Sequence, residues 1–167
     1  MLIATSGFAQ ALPDALRQGE ADWRQWGSGE MSWFGFSLYR ATLWVAGQPR
    51  SSSPLDSPSA LQLDYQRDIS RDDLVEASID EMRRLGASEA QLQRWQGELQ
   101  RVFPDVKDGE TIVGVHYPGK GATFFYRGRP SGEVADAELA RLFFAIWLDE
   151  RSRSPALRAA LLKRPEI

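Results

Sequence analysis

Hydrophobic and polar positions divide this chain into blocks of clear period. From Trp33 to Val45 the sequence reads WFGFSLYRATLWV, nearly all apolar or aromatic. It is too short to cross a bilayer and too continuous for an ordinary surface strand, and predicts one long strand covered on both faces. Period-two alternation sets Trp33, Tyr39, Leu43 and Val45 against Phe34, Phe36, Arg40 and Trp44. The first side interleaves small residues with large ones, which suits close packing of helices. The second carries more bulk and an arginine. Residues 60–69 read as another strand, with Leu61, Leu63 and Tyr65 alternating against Gln62, Asp64 and Gln66.

From Ser70 the period changes to that of a helix. Ser70 with Asp73 marks a start, Leu74, Ile79, Met82 and Leu85 recur at helical spacing, and Gly86 is a stop. Ser88 opens a second helix with Gln91 three residues on, a stripe of Leu92, Trp95, Leu99 and Val102, and Pro104 beyond its end. Residues 111–117 and 122–127 form two strands joined by Pro118-Gly119-Lys120-Gly121. Residues 128–132 read as a further turn. Asp136 caps a strongly apolar helix to Leu148, and Ser154-Pro155 begins a last one. Upstream, residues 14–22 read as a short polar helix or irregular lead-in, and Gly27-Ser28-Gly29 as a turn between strands. Residues 47–59, with three prolines and five serines, predict a surface loop. Hairpins with segregated helices make the fold class α+β, one face of an antiparallel sheet being roofed by helices.

A length of 167 residues predicts a single domain, placed at 12–167. The absence of cysteine excludes thiol catalysis, disulfides and thiolate metal sites. A formal charge of −3 without a basic stripe argues against nucleic acid. No carboxylate cluster has metal-ligand spacing, and the single histidine, His116, has no acid or nucleophile beside it in sequence. Gly119 and Gly121 precede no helix and so do not form a phosphate cradle. Neither metal nor cofactor is implied. Ala9-Gln10-Ala11 has the small-x-small form of a signal-cleavage site after an apolar start, though no basic region precedes it. Residues 1–11 are accordingly read as a signal-peptide remnant, with export to a periplasmic setting expected, the alternative being a chance alanine-rich start on a cytoplasmic protein.

The ordered series SLYRATLW, LQLDYQRDIS, EMRRLG, LQRWQGELQRVFPDVKDGETI, HYPGKGATFFYRGRPSGEV and LFFAIWLDERSRSPALRAALL resembles the chalcone isomerase-like family over residues 27–163. It is similar in particular to a bacterial branch, often exported and without assigned activity. The resemblance implies an open-faced β-sandwich, an antiparallel sheet against a helical layer with a ligand cleft between them. One branch of the family isomerises chalcones and a sister branch binds fatty acids, so the fold does not choose. The isomerase site uses an arginine, a threonine, a tyrosine and an asparagine. Aligned on Ser37-Leu38-Tyr39, the threonine falls at Phe34 or Gly35, the tyrosine near Asp73 and the asparagine near Asp80. Only the arginine has a counterpart, Arg24. Two acids would repel a phenolate substrate, so no catalytic residue is assigned.

The candidate ligand-binding residues are Arg24, Tyr39, Tyr65 and Arg67. An arginine inside the cleft would clamp a carboxylate, and Arg67 shares a face with Leu61, Leu63 and Tyr65; the plainer alternative, for Arg40 as for Arg67, is a side chain leaving the sheet edge. Tyr39 and Tyr65 would place hydroxyls in a pocket or at the rim of the core. Trp33, Trp44, Trp95 and Trp147 are expected in the core, or one of them lining the cleft. The functional expectation is a non-catalytic binder of a small apolar or amphipathic molecule such as a fatty acid. The alternatives are an isomerase or lyase of other specificity, and a protein-interaction module whose cleft has closed.

Overall fold

The first long strand, β1 (Trp23–Trp33), continues through Gly27-Ser28-Gly29, where the sequence predicted a turn, with a register shift between Gln25 and Ser28. In the computed structural model, which describes residues 12–17, 19, 21–33, 35–47 and 54–163, these glycines serve close approach. A Cβ on Gly27 would collide with the backbone oxygen of Ala160, and one on Gly29 would touch Leu157 at 3.0 Å. Both partners belong to the last helix, which lies across the strand. The signal remnant at 1–11, Phe34 and residues 48–53 of the predicted loop fall outside the described residues.

The apolar run from Trp33 to Val45 is likewise not one strand. The chain turns at Gly35, whose φ of +78° suits glycine. Strand β2 (Phe36–Ala46) returns antiparallel, pairing Phe36 with Trp33 and Ala46 with Trp23. A 3-10 turn at Pro54–Asp56 leads to β3 (Ser59–Tyr65). That strand stops at Tyr65, short of the predicted Ile69, which instead makes an isolated bridge to Val106. β4 (Thr111–Tyr117) and β5 (Gly121–Tyr126) form the expected hairpin. A sixth strand, β6 (Arg129–Val134), occupies the segment read as a turn. The actual turn is Arg127-Gly128, with φ of +53° and +82° at its two central residues. Pro130 fits there because β6 is an edge strand and its missing N–H breaks no inner ladder. All six strands pair antiparallel in sequence order.

The helices form where the period changes. α1 (Asp14–Arg17) is a single turn, shorter than the predicted 14–22. α2 (Arg71–Arg84) begins at Ser70, whose hydroxyl accepts from the Asp73 N–H at 3.1 Å. α3 (Glu89–Val102) has the complete reciprocal cap between Ser88 and Gln91. α4 (Ala137–Leu148) is capped by Asp136, and α5 (Pro155–Leu161) opens on proline. Helices α2 to α5 cover one sheet face, where Leu43, Leu61, Trp95, Phe144 and Leu161 form the main core. On the opposite face, α1 packs Ala15 and Leu16 on Trp44, Ala60, Val113 and Val115. Trp44 is core on that smaller side, while Trp33 and Phe36, at 66% and 59% exposure, are not core at all. They lie at the end of the β1–β2 hairpin.

Candidate functional site

Near that end the helical roof does not meet the sheet. A cavity of about 490 Å³ lies between the ends of β1 to β3, the middle of α2, the last turns of α4 and the segment Ser152–Ser154. Its volume is in the range of small-molecule sites, roughly 300–1,000 Å³. The sheet contributes Leu38, Tyr39, Leu63, Tyr65 and Ile112, and α4 contributes Phe143, Ile146 and Trp147. On α2 the lining follows a helical stripe of Leu74, Ala77, Ser78 and Glu81. It runs beside the stripe of Val75, Ile79 and Met82, which enters the core. The small Ala77 and Ser78 are where a bulkier residue would have filled the gap.

The deep part is aromatic. Phe143 packs on Phe103 at 5.7 Å and on Trp147 at 5.2 Å between ring centroids. Tyr39 meets Tyr65 edge-on at 5.6 Å. The indole N–H of Trp147 donates to the Tyr39 hydroxyl at 2.8 Å. Burial pushes the Tyr39 phenol up to about 12, against the lowering by the Trp147 hydrogen bond. Burial raises Tyr65 still more. Both are un-ionised phenols at any physiological pH.

The rim is polar and tied together. Glu81 is bound through one oxygen to Arg153 at 2.9 Å and through the other to Arg84 at 3.2 Å. Arg84 also donates to the carbonyl of Arg151 at 2.6 Å, fixing the chain segment before α5 to α2. The Ser154 hydroxyl lies 3.5 Å from the Met31 sulfur, joining that segment to β1.

Of the four residues proposed from sequence, the structure brings Tyr39 and Tyr65 together in the cavity. Arg24 is paired with Asp22 at 3.7 Å on an exposed stretch of β1. Arg67 falls beyond the end of β3 and stacks its guanidinium 4.9 Å above the Phe36 ring. Neither arginine is among the lining residues. Because β3 stops at Tyr65, the alternation that put Arg67 on the inner face no longer applies to it. Arg40 donates to the Ser28 hydroxyl at 2.9 Å and lies 4.0 Å from Glu30 on β1. Asp73 and Asp80, at the positions of the isomerase tyrosine and asparagine, are exposed on α2 and outside the cavity lining.

His116 is also elsewhere. Its ring stacks on Phe144 at 4.8 Å, and burial pushes its pKa down to about 4. It is a neutral core imidazole outside the cavity. The sequence reading missed Glu81, Arg153 and the α2 stripe. The spacing of Leu74, Ala77, Ser78 and Glu81 was visible, but nothing in it showed that this face met a void. Among the described residues no group of three or more histidine, cysteine or acidic residues could hold a metal, and no helix is long and apolar enough to cross a membrane.

A family model described as chalcone isomerase-like matches residues 4–163. No curated protein matches the sequence. The chain is similar in fold to the crystal structure of a fatty-acid binding protein from Arabidopsis thaliana. The TM-score is 0.64 at 17% identity, over 86% of this chain and 88% of that one.

Proposed function

The chain belongs to the chalcone isomerase-like family, and from that premise we propose that it captures a small apolar or amphipathic molecule, such as a fatty acid, without converting it. The observation that carries this reading is the cavity of about 490 Å³ with an aromatic floor and a polar rim. Chemistry in such a space needs a free acid or base within reach of the guest. The phenols of Tyr39 and Tyr65 are held protonated by burial, and both Glu81 oxygens are engaged by arginines. The fold similarity to a fatty-acid binding protein supports the same reading. An open cavity also weighs against an interaction module with a closed cleft.

The test is native mass spectrometry of protein purified without detergent, followed by titration of the solvent-extracted protein with Nile red. A bound mass removed by organic extraction, with probe taken up afterwards, is the expected result. Protein that is apo as purified and takes up no apolar probe would end the proposal. We further propose that the protein is exported, on the strength of Ala9-Gln10-Ala11, and that it falls in the bacterial branch its motif series resembles. Secretion with a mature chain starting at Leu12 is expected, and retention of the uncut chain in the cytoplasm would overturn it.

A further inference from the structure

The cavity floor offers hydrogen-bond donors and no positive charge. Tyr39 receives the Trp147 indole proton on its oxygen, which fixes the hydroxyl and leaves its own proton without an acceptor among the described residues. Tyr65, 4% exposed, lines the same floor beside it. A buried O–H without an acceptor is unfavourable, and a guest oxygen placed there relieves it. The sign of the guest's charge is constrained as well. Among the described residues that line the cavity, the one cation is Arg153, at the rim and already bound to Glu81. The negative charge of Glu81 is felt at the Tyr39 hydroxyl. An ionised carboxylate on the floor would be desolvated, unpaired and repelled. A ketone, ester or alcohol oxygen meets none of these penalties.

We propose that the floor selects guests whose buried end carries an uncharged acceptor oxygen, with Tyr39, oriented by Trp147, as the specificity-determining donor. This rests on the capture reading above and names which end of an amphiphile enters. An acidic amphiphile binds with its tail inside and its carboxylate at the rim, so the Tyr39 hydroxyl contributes nothing to it.

The experiment compares 2-undecanone, undecane and decanoate at pH 8, by quenching of tryptophan fluorescence, in the native protein and in Tyr39→Phe. The variant should weaken 2-undecanone by roughly five- to tenfold, the loss of one buried hydrogen bond, and should leave undecane and decanoate within about twofold. Independently of any variant, the infrared carbonyl stretch of bound 2-undecanone should lie below its value in hydrocarbon solvent. Unchanged ketone affinity in Tyr39→Phe, an unshifted carbonyl stretch, or an equal loss for decanoate overturns the inference while leaving capture intact. Failure of all three compounds to bind the native protein removes the capture reading, and this inference with it.

Discussion

Replacing His116 by leucine should flatten the acid side of this protein's stability curve. The imidazole is 2% exposed, at the end of β4 under α4. Its ring stacks on Phe144, and its Nδ1 has no hydrogen-bond partner. Burial alone lowers its pKa from 6.5 to about 4. In the unfolded chain the ring keeps its ordinary value, so between these two limits the unfolded state binds a proton that the folded state refuses. The contribution of neutral His116 is complete above about pH 6.5 and drains away as pH falls towards 4. At about 1.4 kcal/mol per pH unit, the loss amounts to roughly 3 kcal/mol. In a chain of this length that is a fall in Tm of about 6–12 °C. The assay is a series of urea melts from pH 8 to pH 4 on both proteins, the variant serving to subtract the carboxylates. The native protein should lose roughly 3 kcal/mol more than His116→Leu. Parallel acid limbs, or a His116 ring that titrates near 6.5 by NMR in the folded protein, would refute the reasoning. The same experiment bears on function, because an imidazole neutral down to about pH 4 in the core is not a proton carrier for the cavity.

Three further outcomes follow from particular contacts. Gly27→Ala should lower stability by about 2 kcal/mol or more, because the new methyl meets the Ala160 carbonyl; thermal melting and faster proteolysis within α5 are the readouts, and an unchanged Tm would contradict the packing. Asp136→Ala removes the acceptor of the Glu138 and Leu139 N–H groups, each at 3.0 Å, and of the Trp95 indole at 2.9 Å. Loss of the cap and an orphaned buried indole should together cost about 3 kcal/mol by urea melt, and a loss under about 1 kcal/mol would show that the indole finds another partner. Ile146→Trp fills the cavity from α4, so Nile red affinity should drop by more than about tenfold with Tm held or raised; binding that survives would place the guest elsewhere.

The aromatic run from Trp33 to Val45 shows where sequence reading lost resolution. Its apolar density correctly signalled a strand sandwiched on both faces: Leu43 and Val45 enter the main core, and Trp44 the smaller one beneath α1. Density alone could not show that the run bends at Gly35 and leaves Trp33 and Phe36 in solvent. Gly27-Ser28-Gly29 failed for a related reason. Glycine serves turns and close approaches alike, and which of these applies depends on α5, some 130 positions on in the sequence. Gly128 to Gly132 was misread in the same way, since only Gly128 belongs to the turn, with Arg127 before it, and residues 129–132 lie in β6. For the site, Tyr39 and Tyr65 were legible because alternation along β2 and β3 set them on the helical side. Arg24 and Arg67 were not, because the partner of a charged side chain is chosen in three dimensions.

By itself, then, the sequence determined the class of fold, the helix starts at Ser70, Ser88 and Asp136, and the side of β2 and β3 that faces the helices. Those follow from local period and capping chemistry, which involve residues a few positions apart. Only the tertiary structure decided that α2 and α4 stand off from the sheet around Tyr39 and Tyr65. A void is a property of surfaces that fail to meet, and the residues bounding this one run from Met31 to Ser154, too far apart along the chain for any local pattern to encode it.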